Sequence, residues 1–308
     1  MKKIKQSLPF LVKTVIGALF IISAIAKIVE MDKFELYVYS YHFFSLNFTF
    51  IVARIAIVAE LALGIALLSM LKHKSVWWAS TIMVAGYTLF LLYAVAIGRS
   101  DSCHCFGELV DMNPWQSILK NAGFLILLAL AYPARNIEWR FAWHSLAIAC
   151  IACGITVFTI SPPDNFTPNY KREGNINTEV LDNIIQDSIF NDYALTKGKQ
   201  VVCFFTPVCE FCQMAAKKIS LMHDFYGNGN ENITYIFLMG DEKSIDKFFN
   251  KSESNRYRYV IYTDVPRLLS CTNGEFPNIA FLEDGKLVYQ TGLRDMHEDV
   301  IEKFFRNE

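Results

Sequence analysis

The chain has 308 residues, enough for two domains. Hydrophobic residues make up 53% and charged residues 19%, and the apolar excess lies almost wholly in the first half. A net charge of −1 without a basic arm or patch argues against a nucleic-acid partner, and eight cysteines are too few for a small disulfide-stapled fold.

Five segments carry the roughly 20 apolar residues that a helix needs to cross a bilayer: about Phe10–Val29, Phe48–Leu71, Val76–Gly98, Trp115–Tyr132 and Phe141–Ile160. Lys2, Lys3 and Lys5 precede the first, but no small-residue cleavage site is clear, so it reads as a retained helix rather than a signal peptide. Lysine and arginine in short loops set orientation. Lys2, Lys3 and Lys5, then Lys72 and Lys74, then Arg135 and Arg140 mark one side, while the opposite loops are mixed or acidic. The N-terminus is therefore expected in the cytoplasm. Everything after Ile160 is then expected outside, in the periplasm of a bacterial inner membrane.

Within this half, four features carry chemistry. Glu60 falls near the middle of the second span, where a charge is costly unless paired or protonated; it is a functional candidate or a tie between helices. Arg54, six residues earlier, is not an obvious partner on the same helix, and Lys27, near the outer end of the first span, is expected to snorkel. The loop before the fourth span reads Cys103-His104-Cys105 and shares the outer side with the C-terminal half. Two thiols there suit exchange through a mixed disulfide, with His104 lowering a thiol pKa or taking up a proton. The ring of a Cys103–Cys105 bridge is strained, which makes such a bond labile. Copper or zinc binding is the competing reading, although three adjacent residues seldom complete a coordination shell. Cys150 and Cys153 lie three apart in the fifth span, either as an electron relay toward a quinone or simply as small residues at a helix–helix contact.

The pattern "GALFIISAIAKIVEMDKF", then "ELALG", then "CHCFG" resembles the MauE/DoxX family of four-helix membrane proteins over about residues 8 to 132. Lys27 and Glu60 fall where that family tends to carry charge. The resemblance implies periplasmic disulfide chemistry and an association with methylamine utilisation. The expected division is a membrane domain over 1–135, a fifth helix over 136–161 and a Pro-rich linker over 162–168, with a soluble domain over 169–308.

The soluble half alternates strands and helices. "QVVCFF", "ITYIFLMG" and "RYVIYT" read as strands, and "NIAFLEDGKLVYQTG" as a hairpin turning at Asp284-Gly285. "CEFCQMAAKKISLMHDF", "SIDKFFNKS" and "MHEDVIEKFFRN" read as helices, which implies a largely parallel sheet covered by helices. Cys209 and Cys212 follow a strand directly and open a helix, whose N-terminus stabilises a thiolate at Cys209 and places Cys212 to resolve a mixed disulfide. No second close ligand pair accompanies them, which disfavours zinc. Cys203 and Cys271, each standing alone, read as core thiols.

This half resembles the thioredoxin superfamily, notably its membrane-anchored extracytoplasmic members, on the Cys-x-x-Cys and on "GEFPNIAFLEDGK". The resemblance implies an α/β thioredoxin-like fold with Pro277 after a cis peptide bond facing the cysteine pair. Thioredoxins often carry a buried carboxylate at the position of Cys203, so proton transfer here is expected to be slower or to use another group. Glu210, inside the motif, is expected to disfavour the thiolate and to lean the pair toward a reductant.

Together these readings predict a thiol–disulfide oxidoreductase embedded in the bilayer. Cys209 attacks, Cys212 resolves, and Cys103/Cys105 exchange electrons with that pair. The expected partners are periplasmic thiol and disulfide client proteins. No metal is required by the motifs, and a quinone is the one cofactor that an electron relay would call on. The alternatives are a metal-handling membrane protein with a thioredoxin-like reductase domain, and a thioredoxin whose helical part is only an anchor.

Overall fold

The computed structural model describes residues 2–69, 73–99, 112–132, 140–164, 175–227, 229, 232–254 and 256–306. It falls into two compact units, residues 1–41 with 48–163, and residues 42–47 with 164–308.

The first unit is helical: α1 (Lys2–Val29), α2 (Met31–Tyr39), α3 (Leu46–Ser69), α4 (His73–Ala96), α5 (Pro114–Ala131) and α6 (Ala142–Ile160). Five of these, all but α2, are long and apolar enough to cross a membrane, and they match the five segments expected from sequence to within a few residues. The short helix α2 was not anticipated; it buries Phe34, Leu36, Tyr37 and Tyr39 and packs through Met31 and Phe34 against α1 and α3.

In a bilayer, helices associate by close packing rather than by a hydrophobic drive, so small residues mark their crossings. Gly17 and Gly64 do this for α1 and α3. A Cβ on Gly64 would lie 2.9 Å from the Gly17 carbonyl oxygen and 2.7 Å from Ile21 Cγ1. Asn113 starts α5 with a reciprocal cap, its side chain accepting from the Gln116 N–H while Gln116 accepts from the Asn113 N–H.

The second unit runs α7 (Thr178–Ile185), a 3-10 turn (Ser188–Tyr193), β1 (Lys199–Phe205), α8 (Glu210–Tyr226), β2 (Asn232–Leu238), α9 (Glu242–Ser252), β3 (Arg258–Tyr262), α10 (Val265–Thr272), β4 (Asn278–Glu283), β5 (Lys286–Thr291) and α11 (Glu298–Arg306). The sheet order is β3-β2-β1-β4-β5. The β1–β2 and β2–β3 pairs are parallel, and β1–β4 and β4–β5 antiparallel. The sheet is therefore mixed rather than largely parallel, because the C-terminal hairpin joins it in the opposite sense. That hairpin turns where expected, with Asp284 and Gly285 both at positive φ.

One sheet face packs Val202, Phe204, Ile236 and Ala280 against Leu181 and Ile184 of α7, Phe190 of the 3-10 turn, and Leu268 and Cys271 of α10. The other carries Cys203, Phe205, Tyr235 and Phe237, and α8 reaches Tyr235 there through the Ala216 carbonyl. Helices α7 and α10 escaped the sequence reading. Each has only eight residues, too few for a clear apolar period.

Candidate active site

The end of β1 and the start of α8 frame the site. Strand β1 stops at Phe205, and Thr206, Pro207 and Val208 form the turn into Cys209, which is the N-cap of α8. The Cys209 N–H donates to the Thr206 carbonyl at 3.2 Å, and the Gln213 side chain donates to the Pro207 carbonyl at 3.2 Å, which fixes the turn from both sides. Gly240 lets the next loop close over it: a Cβ there would sit 2.8 Å from Pro207 Cγ, on a backbone at φ +138°.

The two thiols differ sharply. Cys209 is half-buried; Cys212, one turn into the helix, is fully buried. The Cys212 N–H points at Cys209 Sγ at 3.4 Å, as a side-chain cap requires. Hydrogen bonding from the Cys212 thiol, helped by the N–H groups of Cys212 and Phe211 and by the Thr206 hydroxyl, holds Cys209 down to about 6 against the opposing effect of burial. Burial and the neighbouring Cys209 push Cys212 far up. At neutral pH the arrangement offers one half-buried, accessible thiolate beside one retained proton, the division that nucleophilic attack followed by resolution needs.

Glu210 is exposed, and hydrogen-bond donors set the state of Cys209. The expectation that Glu210 would weaken the thiolate is thus outweighed by hydrogen bonding, first from the Cys212 thiol and then from the N–H groups at the helix start. Phe276–Pro277 is a cis peptide bond. Pro277 stands one residue beyond the Phe204–Asn278 pair of β1 and β4, at the end of β1 that leads into Cys209. Cys203 lies opposite Tyr235 on the face under α8, fully buried, with its thiol pushed well up by desolvation. Cys271 is on the opposite face, pushed up to about 12 by burial. Thr206 escaped the sequence reading; a threonine next to a strand end carries no signal until the fold places its Oγ1 3.9 Å from Cys212 Sγ.

The remaining sequence candidates are dispersed. Glu60 binds Lys27, with Nζ 2.5 Å from Oε2 and both side chains buried. Lys27 therefore does not snorkel. Helical side chains lean toward the helix N-terminus, which aims Lys27 from the last turn of α1 back into the bundle, where Glu60 and the Ser23 hydroxyl accept from it. Arg54 pairs instead with Glu35. Cys150 is exposed and Cys153 buried on α6, and the two are not bridged. Cys103, His104 and Cys105 lie outside the described residues.

A thioredoxin-like sheet with Cys-x-x-Cys at a helix N-terminus, in a chain with five membrane-length helices, defines the class: a membrane-bound thiol–disulfide oxidoreductase. Residues 5–134, which include the first four spans, match the family model described as "Methylamine utilisation protein MauE". The chain is 26% identical to Protein TlpB of Flavobacterium psychrophilum, an alignment covering 96% of this chain and 94% of that protein. Among solved structures, a secreted Mycobacterium tuberculosis disulfide oxidoreductase homologous to E. coli DsbE is 18% identical (TM-score 0.30), covering 36% of this chain and 82% of its own. The thioredoxin domain of a Bacteroides vulgatus thiol-disulfide oxidoreductase is 19% identical (TM-score 0.31), covering 36% and 81%.

Proposed function

We propose that the protein passes electrons between a membrane-surface dithiol, Cys103/Cys105, and the soluble dithiol, Cys209/Cys212, and thereby sets the redox state of exported client proteins. Cys209 attacks a client disulfide, Cys212 resolves the mixed disulfide, and Cys103/Cys105 renew the pair. Pro277 borders the client's docking site, and His104 assists the loop thiols. The carrying observation is the asymmetry of the soluble pair, an accessible Cys209 held at about 6 beside a buried Cys212 that keeps its proton.

The sidedness of the charged loops supports an arrangement with the N-terminus in the cytoplasm and both dithiols in the periplasm. Tethering both pairs to one chain raises their mutual concentration, to about millimolar for a short flexible link. A Cys209 near 6 lies closer to thioredoxin, at about 7, than to strong oxidants at about 3.5, which supports a reductant. Glu60 ties helices together, Cys203 is a core thiol, and the buried Cys153 serves helix packing while Cys150 stays on the exposed side of its helix.

Trapping tests the hand-over. In a Cys212→Ala variant quenched in acid, a disulfide linking Cys209 to Cys103 or Cys105 is expected by peptide mapping. If none forms, and Cys103→Ser leaves turnover of the soluble pair in cells unchanged, the membrane half is an anchor and the scheme fails.

A further inference from the structure

Resolution of the mixed disulfide requires the buried Cys212 thiol to lose its proton as it attacks, and the usual carboxylate position holds Cys203. That thiol is itself fully buried and protonated, so it cannot act as the base. The charged groups on the surrounding elements are engaged elsewhere or turned away. On α8, Glu210 is exposed, Lys217 pairs with Glu253 at 2.7 Å, and the Lys218 ammonium donates to the Leu293 carbonyl at 2.9 Å. At the start of α9, Asp241 is exposed and caps its own helix through Ser244. From β4, Pro277 and Asn278 bring no ionisable group. Among the described residues, the side chains in contact with Cys212 that bear on its thiol are Cys209 and Thr206.

We propose that the Thr206 hydroxyl relays the Cys212 proton, taking the place of the absent carboxylate. Its Oγ1 lies 3.9 Å from Cys212 Sγ, the residue starts the short turn that leads into Cys209, and it is only half-buried, so the hydroxyl meets the resolving thiol and has an outlet. In the resolving step the Cys212 sulfur forms a bond to Cys209 Sγ, and the bond between Cys209 Sγ and the client sulfur breaks. The bonding pair leaves on the client sulfur, which is reduced while Cys212 is oxidised; Cys209 stays at the disulfide level throughout. As Cys212 loses its proton to Thr206 Oγ1, Thr206 passes its own hydroxyl proton to the departing client sulfur, so the threonine ends unchanged. In the reverse direction the same hydroxyl protonates Cys212 as it leaves. The proposal rests on the Cys209/Cys212 reading above.

The test uses the reduced full-length chain carrying Cys103→Ser and Cys105→Ser, with oxidised glutathione as the probe. Samples are quenched in acid, and mass spectrometry follows formation and decay of the Cys209–glutathione adduct. In Thr206→Val the decay at pH 7 is expected to slow by about tenfold. The deficit should shrink toward pH 9, where hydroxide accepts the proton directly. Thr206→Ser should recover the parent rate, which a purely structural role for the methyl group would not predict. Should Thr206→Val fail to fold, Thr206→Ala against Thr206→Ser makes the same comparison. Equal decay in the hydroxyl-free and parent proteins, or a Thr206→Ser variant as slow as Thr206→Val, overturns the relay. If the parent forms no adduct at Cys209 at all, the dithiol reading itself falls, and the relay with it.

Discussion

Lys27 on α1 and Glu60 on α3 form an ion pair buried inside the helical unit, each side chain less than a tenth exposed. The Lys27 ammonium also lies 5.5 Å from the Tyr87 ring centroid and 5.8 Å from that of Phe34. A charge stripped of water is tolerable only while its partner is present, so removing one member costs more than removing both. Glu60→Gln or Lys27→Met alone is expected to destabilise the helical unit by about 3–5 kcal/mol. The double variant Lys27→Met/Glu60→Leu should recover much of that loss. Thermal unfolding in a mild detergent, followed by resistance to proteolysis, measures both. Single variants as stable as the parent would remove the pair from the account of the bundle.

The Cys209 thiolate gives a pH signature. Its pKa is lowered, so the reactive form is present above about 6 and lost below it. Alkylation of reduced protein by iodoacetamide at Cys209 is expected to rise through that midpoint and level off by neutral pH, with Cys212 remaining unreactive. Because the Cys212 thiol is the largest cause of the lowering, Cys212→Ala should move the midpoint up, yet leave it below a free thiol, since the N–H groups at the start of α8 remain. The sign for stability follows. A lowered thiol favours the reduced fold at high pH, and that advantage fades as pH falls toward 6. A midpoint near that of a free thiol in the parent would contradict the hydrogen-bonded cap.

Much of the architecture could be read before any coordinates, for reasons that differ by element. Twenty-residue apolar runs mark spanning helices whatever their neighbours do. Cys209 and Cys212 are legible because a strand, a turn and a helix N-terminus surround them in the sequence itself. Lys27 was misread because position along a span does not show which way a side chain faces or what charge waits on another helix. Thr206 and Gly240 were invisible for a related reason. Their roles depend on loops brought together only by the sheet order. Helices α7 and α10 are short, and their apolar residues face a core that exists only once β4 and β1 have paired.

Arg54 holds the C-terminal end of the last span. Its guanidinium pairs with Glu35, donates to the Phe50 carbonyl at 2.7 Å, and reaches the carbonyls of Ser161 at 2.7 Å and Pro162 at 2.9 Å just beyond α6. A planar fork of donors suits this, whereas an ammonium would leave acceptors unserved. Arg54→Lys is therefore expected to behave as a loss, with cleavage at residues 161–163 by added protease rising several-fold over the parent. Arg54→Met should be worse, because it also removes the positive charge that pairs with the buried Glu35. Unchanged cleavage in both variants would mean that the helix end is fixed by other contacts.

Gly240 tests how tightly the turn before Cys209 must be held. Its φ of +138° is strained for any side chain, and a Cβ would press on Pro207 Cγ at 2.8 Å. Gly240→Ala is expected to cost about 1–3 kcal/mol in the soluble unit. Displacing Pro207 should also loosen the Gln213 clamp, so that Cys212 becomes alkylatable under native conditions. A variant that is destabilised but keeps Cys212 protected would show that the turn is held from the helix side alone.

Cys203 separates a packing thiol from a proton-relay thiol. It is fully buried among sheet residues, and its surroundings oppose ionisation. Cys203→Ala removes one sulfur from a close-packed core and is expected to cost about 1–2 kcal/mol through the space left behind. Decay of the Cys209 adduct should keep the parent's rate and pH dependence, because the proposed relay uses the Thr206 hydroxyl and not the Cys203 thiol. Cys203→Asp should be far more damaging, since the desolvation that pushes the Cys203 thiol up would also oppose a buried carboxylate and hold it protonated near neutral pH. Were Cys203→Ala to slow resolution as strongly as Thr206→Val while the protein stays folded, the buried thiol would have to be counted within the relay.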